Sequence, residues 1–365
     1  MSSGPSPEPV RPSRVQRHER RARIRVLAIV AGVAVLALVG WFLFGRGDGD
    51  EGSVVAESPA PAGPTGPSRL LAFSITGTAI PHMAVIGAAS DDRPGAAIPM
   101  PMDMVMIVPG QGETPTPQVA QLPGSSMQVS LSNAMGTWTE AYGVITMARL
   151  VEIVDRQEGL TVDLALPVTT SVGVLGPGSV TLSGTEVRAL LTVKNADAPT
   201  YWAGVLEGRL AAPPTLQAGD LAASNGLPLV QEILDGAEAG DILEFPTKVV
   251  AGTVVVAAQP DLDDLVTEAF GTEVPVPVIV QNGNGTPGVG EKVGRRIIPA
   301  GFRIVLSQNA ATFGLATTDV IANGEANLAA AHEARDALGV GRVGVSQVPS
   351  GIGDITIVVG KDFTA

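Results

Sequence analysis

The chain has 365 residues, 23 of them basic and 36 acidic, and a formal charge of −13 at neutral pH, so its surface repels nucleic acid and other polyanions. It contains no cysteine, which removes disulfides, thiol nucleophiles and cysteine metal sites. Its three histidines, His18, His82 and His332, are far apart and give no support to a histidine metal site or a serine–histidine triad.

Residues 1–25 are rich in Pro, Ser and Arg without an apolar period, which predicts a disordered basic arm. Residues 26–44, VLAIVAGVAVLALVGWFLF, carry no charge, and as a helix they would span ~28 Å, near the thickness of a bilayer's hydrocarbon core. Seven arginines, at positions 11, 14, 17, 20, 21, 23 and 25, all precede this run. That asymmetry places the amino terminus in the cytoplasm and everything after residue 44 outside, in a single-pass protein of the cell membrane. A cleaved signal peptide is the competing reading, but the run exceeds the ~7–15 apolar residues of such a segment and no small-x-small site follows it directly. Setting aside those arginines with Glu8 and Glu19 leaves sixteen basic and thirty-four acidic residues outside, a net of −18. A DNA partner therefore has no basic surface to meet beyond an arm whose charge topology already explains.

Residues 45–69 read as a flexible linker. Residues 70–271 mix short apolar runs of strand length (LLAFSIT, MAVIGAA), helical spacing (Met147, Leu150, Val151, Val154, then LPLVQEILDGAE) and a β-branched run, TKVVAGTVVVAA, which predicts a mixed α/β domain. Pro275 and Pro277 bar a helix at the link to a second, smaller domain, 275–365. There a strand, the loop NGNGTPGVG, a helix and the strand RIVLSQN form one unit, and TTDVIAN, EANLAAAHEARDALG and GRVGVSQ form another before the final DITIVVGKDF. Such alternation predicts a small α/β domain able to fold alone.

The segment VIVQNGNGTPGVGEKVGRRIIPAGFRIVLSQN and the terminal VVGKDF resemble the LytR carboxy-terminal (LytR_C) domain of actinobacterial envelope proteins, over about 90 residues. The part before it resembles a diverged LytR-CpsA-Psr (LCP) domain, a family that transfers glycopolymers from polyprenyl-pyrophosphate carriers to peptidoglycan. PMDMVMIVPG sits where the family has Pro-Arg-Asp-Thr followed by Pro-Gly, SLSNAMG resembles its Lys-Ile-Asn-Ala segment, and LGPGSVTLSGTEVRALLTVK resembles the stretch leading into an arginine pair. Departures from the pattern bear on chemistry. The arginine of Pro-Arg-Asp is Met102, although Asp103 remains; the arginine pair falls at Lys194 and Ala196; and the later Arg-Gln segment falls in YWAGVLEGR without a matching arginine. Holding a pyrophosphate takes several cationic donors, whereas residues 70–270 hold seven basic residues against twenty-two acidic ones. The resemblance thus implies a pseudoenzyme, a non-catalytic binding or scaffolding partner in cell-envelope assembly, with no cofactor. Its partners would be envelope proteins or a wall glycopolymer on its lipid carrier. The alternative is an active transferase using Asp103 and Lys194 with a magnesium ion.

Other candidates have plainer readings. The loop Asn282, Gly283, Asn284, Gly285 invites comparison with phosphate loops but lacks their GxGxxG and GxxxxGK[ST] patterns, so a turn before a helix is expected. Met100, Met102, Met104 and Met106 alternate, as on one face of an extended strand; copper(I) binding, core packing and a lipid-tail groove inherited from the family are the three options. Asp91 with Asp92, and Asp261 with Asp263 and Asp264, lack the spacing of a cation loop and are expected as exposed acids. His332 lacks the second histidine of His-Glu-x-x-His and is expected at the surface.

Overall fold

Along LLAFSIT, Leu71 and Ile75 enter one apolar cluster while Leu70 and Ala72 enter another, so β1 (Leu70–Thr76) is an inner strand of a sheet covered on both faces. The computed structural model describes residues 68–90, 93–348 and 350–364. In it β2 (His82–Gly87) runs antiparallel to β1, and β3 (Ala96–Pro99) antiparallel to β2. The hairpin of β4 (Val105–Val108) and β5 (Gly112–Pro115) leads through the short α1 (Thr116–Val119) to α2 (Gly124–Met135). Next, β6 (Ala141–Thr146) lies parallel to β1 and is followed directly by α3 (Met147–Arg156), capped by the Thr146 side chain at Arg149 N.

β7 (Leu160–Leu164) pairs with β10 (Gly178–Leu182), and the hairpin β8 (Val168–Thr170) and β9 (Gly173–Leu175) lies between them in sequence. Then come α4 (Gly184–Leu191), opened by a reciprocal Ser183–Glu186 cap, and α5 (Ala198–Ala211). Completing this part are β11 (Ala222–Ala223), α6 (Leu227–Gly236), β12 (Asp241–Ile242), the ribbon β13 (Thr247–Val250) and β14 (Val254–Ala257), and α7 (Gln259–Phe270). The main sheet has the order β11-β6-β1-β2-β3-β12. Side chains of α3 to α6 fill one face, and those of α2 and α7 the other.

The apolar runs after Pro275 build a second, five-stranded sheet. β15 (Val276–Asn282), α8 (Val289–Ile297) and β16 (Phe302–Asn309) form one parallel strand-helix-strand unit. A second comprises β17 (Asp319–Asn323), α9 (Leu328–Leu338) and β18 (Arg342–Ser346), and β19 (Ile355–Val359) inserts between them in the order β16-β15-β19-β17-β18. Both strand-helix units expected from the sequence are present, and the described residues are mixed α/β.

All these elements belong to one compact unit, Val54–Ala365. The arm 1–25, the apolar run 26–44, most of the linker, and Asp91 with Asp92 lie outside the described residues. Among the described residues no helix is long and apolar enough to cross a membrane.

Candidate functional site

At the end of the main sheet where β2 begins and β3 stops, a cavity of about 500 Å³ opens between the start of α5 and the chain leading into β13. Met100, Met102, Asp103, His82, Trp202 and Glu244 are among the residues that line it. Among the described residues the lining contains no arginine or lysine. His82 is buried; its Nε2 lies 3.0 Å from the Leu191 carbonyl, to which it donates, and its ring sits 5.2 Å from that of Trp202. Burial holds the His82 imidazole below the ordinary histidine range, and the hydrogen bond to Leu191 offsets this only in part. Trp202 Nε1 donates to the Met83 carbonyl at 3.1 Å, which locks the indole against the sheet.

Trp202 also lines a smaller cavity behind it, about 60 Å³, walled by Ile75, Ile86, Leu150 and Leu206 and reaching Arg209. The Arg209 Nη1 donates to Gln157, while its Nε and Nη2 are buried without a partner. Desolvation pushes this guanidinium down to about 10. The same arginine borders a groove of about 600 Å³ with Asp163, Glu207, Gly204 and Gly208. A side chain at Gly208 would place its Cβ 2.2 Å from the Thr161 carbonyl, so the two glycines of YWAGVLEGR let α5 lie close on β7.

The four methionines meet in one apolar cluster, although not along one continuous strand. A turn at Met102 and Asp103 interrupts the extended chain; Met100, Met104 and Met106 are buried in the core, and Met102 packs against it half-buried. Pro101 ends pairing just before that turn, because proline supplies no N–H to a ladder. Only Met100 and Met102 line the cavity. Asp103 is exposed at its rim, whereas Lys194 is an exposed residue beyond α4 and is not part of the lining. Asp103 and Lys194 therefore do not meet in this cavity. Among the described residues no three His, Asp or Glu gather as a metal cluster.

In the glycine loop the polar groups are consumed internally. Asn282 Oδ1 accepts from Gly285 N at 2.9 Å, Asn284 Oδ1 accepts from Thr286 N at 2.6 Å, and Asn284 Nδ2 donates to the Gly360 carbonyl. Gly285 has φ +84°, and a Cβ on Gly283 would sit 2.8 Å from the Val359 carbonyl. These four residues make a turn and leave no ring of free amides for an anion. His332 is exposed, as expected.

One expectation is corrected: Asp263 is not a free surface acid. It lies half-buried, 2.6 Å from Nη1 of the buried Arg303, joining α7 to β16. The two side chains form a short ion pair, and Arg303 Nη2 has no hydrogen-bond partner. Around it Asn133 donates to the Ile107 and Ile304 carbonyls and accepts from Ile304 N at 2.7 Å, Ser126 donates to Glu291, and Gly110 N donates to Ser307 Oγ.

A search of curated proteins gave no match. Among solved structures, the LytR-Csp2A-Psr enzyme from Actinomyces oris is 18% identical, over 59% of this chain and 93% of its own, at a TM-score of 0.44. TagT, a Bacillus subtilis protein, is 12% identical in its form with bound octaprenyl pyrophosphate lipid, over 62% of this chain and 98% of its own, at a TM-score of 0.44. TagT bound to LIIa-WTA is 15% identical, over 61% and 97%, at 0.44. The family model LytR_C, described as LytR cell envelope-related transcriptional attenuator, matches residues 275–363. With its two strand-helix units and its Asn-Gly turn in place, that segment of the chain is a LytR_C domain.

Proposed function

We propose that this chain is a membrane-anchored, extracytoplasmic component of cell-envelope assembly that binds or scaffolds without catalysing. The observation that carries this reading is the cavity at Met100, Met102 and Asp103, whose lining offers carboxylates and apolar surface but no arginine or lysine. A pyrophosphate entering there would lose its hydration and gain repulsion, because charge-assisted donors are what stabilise such a group. An apolar or neutral portion of a lipid carrier suits the methionine and tryptophan walls. The domain division 70–271 and 275–365, with the anchor at 26–44, is part of the same proposal.

The LCP resemblance fixes the test. Release of the polyprenyl phosphate carrier from a polyprenyl-pyrophosphate-linked wall polymer is measured for the wild type, Lys194→Ala and Asp103→Asn. All three are expected at background. Release by the wild type that either substitution abolishes would restore the transferase reading.

A further inference from the structure

Residues 247–254, the outer strand and turn of the β13–β14 ribbon, are all exposed. Val249 is 64% exposed, Val250 37% and Val254 38%, and Val250 pairs with Val254 across the ribbon. A two-stranded ribbon with apolar side chains in water on both faces is marginal unless something covers it. No acid occurs between Glu244 and Asp261, and the only charge is Lys248. In a chain whose residues after position 44 carry a net −18, this is a stretch that an anionic surface does not repel.

We infer that the tip of this ribbon inserts shallowly into the lipid bilayer, its valines among the acyl chains and Lys248 at the headgroups. The inference rests on the reading of 26–44 as an anchor. A linker of the composition of 45–69 spans roughly 25–30 Å root-mean-square and at most about 80 Å. β1 is about 23 Å long. The folded unit can therefore turn either end of its main sheet to the membrane, including the end that bears the ribbon. Thr247, the first ribbon residue, also lines the cavity at Met102. Insertion would thus set the mouth of that cavity at the bilayer surface, where a lipid could enter without crossing water.

Because the chain has no cysteine, a single introduced thiol can carry an environment-sensitive fluorophore. The full chain is reconstituted into vesicles of phosphatidylglycerol and phosphatidylethanolamine, labelled in turn at Val250→Cys, Thr253→Cys and, as an exposed control outside the ribbon, Phe313→Cys. Flotation of the vesicles is scored separately. With the chain afloat, the ribbon labels should emit at shorter wavelength and be quenched by acyl-chain nitroxides several-fold more than the control. A floating chain whose ribbon labels remain water-like overturns this inference alone. A chain that does not float overturns the anchor reading, and with it this one.

Discussion

Replacing Asp263 by Asn removes one charge from a contact between α7 and β16 and leaves the other buried. Arg303 is only 7% exposed at its side chain and Asp263 15%. The guanidinium donates from Nε to the Asn133 carbonyl at 3.3 Å, and burial holds it below the ordinary arginine range even with Asp263 beside it. Deleting one partner of such a pair costs ~3–5 kcal/mol, since the remaining charge is neither solvated nor compensated. For a unit of this size that is a fall in Tm on the order of 10 °C. Thermal unfolding of residues 54–365 followed by circular dichroism measures it. Part of the cost can be escaped by opening the junction, which would separate one transition into two. The double variant Asp263→Leu with Arg303→Met removes both charges and should return to within about 1 kcal/mol of the wild type. A single variant that loses less than about 1 kcal/mol, or a double no better than the single, would refute this reasoning.

Three further outcomes are expected. Arg209→Met should raise Tm, because a guanidinium pushed down to about 10 from 12.5 costs about 3 kcal/mol when charged in the fold, more than its bond to Gln157 returns; a lower Tm would show that Arg209 has a partner in solution. His82 resists protonation in the fold, so its contribution to stability is complete above pH 6.5 and is lost as the pH falls below that; His82→Gln should flatten the decline of Tm between about pH 6.5 and 5, and an unchanged slope would count against it. Residues 275–365 expressed alone should melt cooperatively, since their core draws on β15 to β19, α8 and α9; a broad transition would mean that Ile107, which packs against that core, and the junction supply an essential part.

Much of the fold is written locally. β1, β2 and β15 to β19 are β-branched or apolar runs bounded by glycine, proline or asparagine, and α3 shows Met147, Leu150 and Val154 at helical spacing, all buried. The methionine row was legible as core, since Met100, Met104 and Met106 are buried in one cluster that Met102 borders, but alternation cannot reveal that Met102 and Asp103 occupy a turn. Asp263 looked like one of three acids at a helix start; which of them faces Arg303, forty residues on, depends on how α7 meets β16, and no local pattern encodes that. The Trp202 and His82 contact is hidden for the same reason, its partners lying 120 residues apart. Gly204 and Gly208 could have been found, as glycines four apart in a helix mark a close approach to a neighbour.

Non-catalytic binding is tested most directly by calorimetry of the full chain with a polyprenyl pyrophosphate and with the matching polyprenol. Each missing charge-assisted contact to the headgroup forfeits ~1.5–3 kcal/mol, so the apolar tail alone should drive whatever binding occurs. Affinities for the two ligands that agree within a few-fold are expected. A preference for the pyrophosphate beyond about tenfold, worth ~1.4 kcal/mol, would contradict the proposal and return Asp103 and Lys194 to an active site.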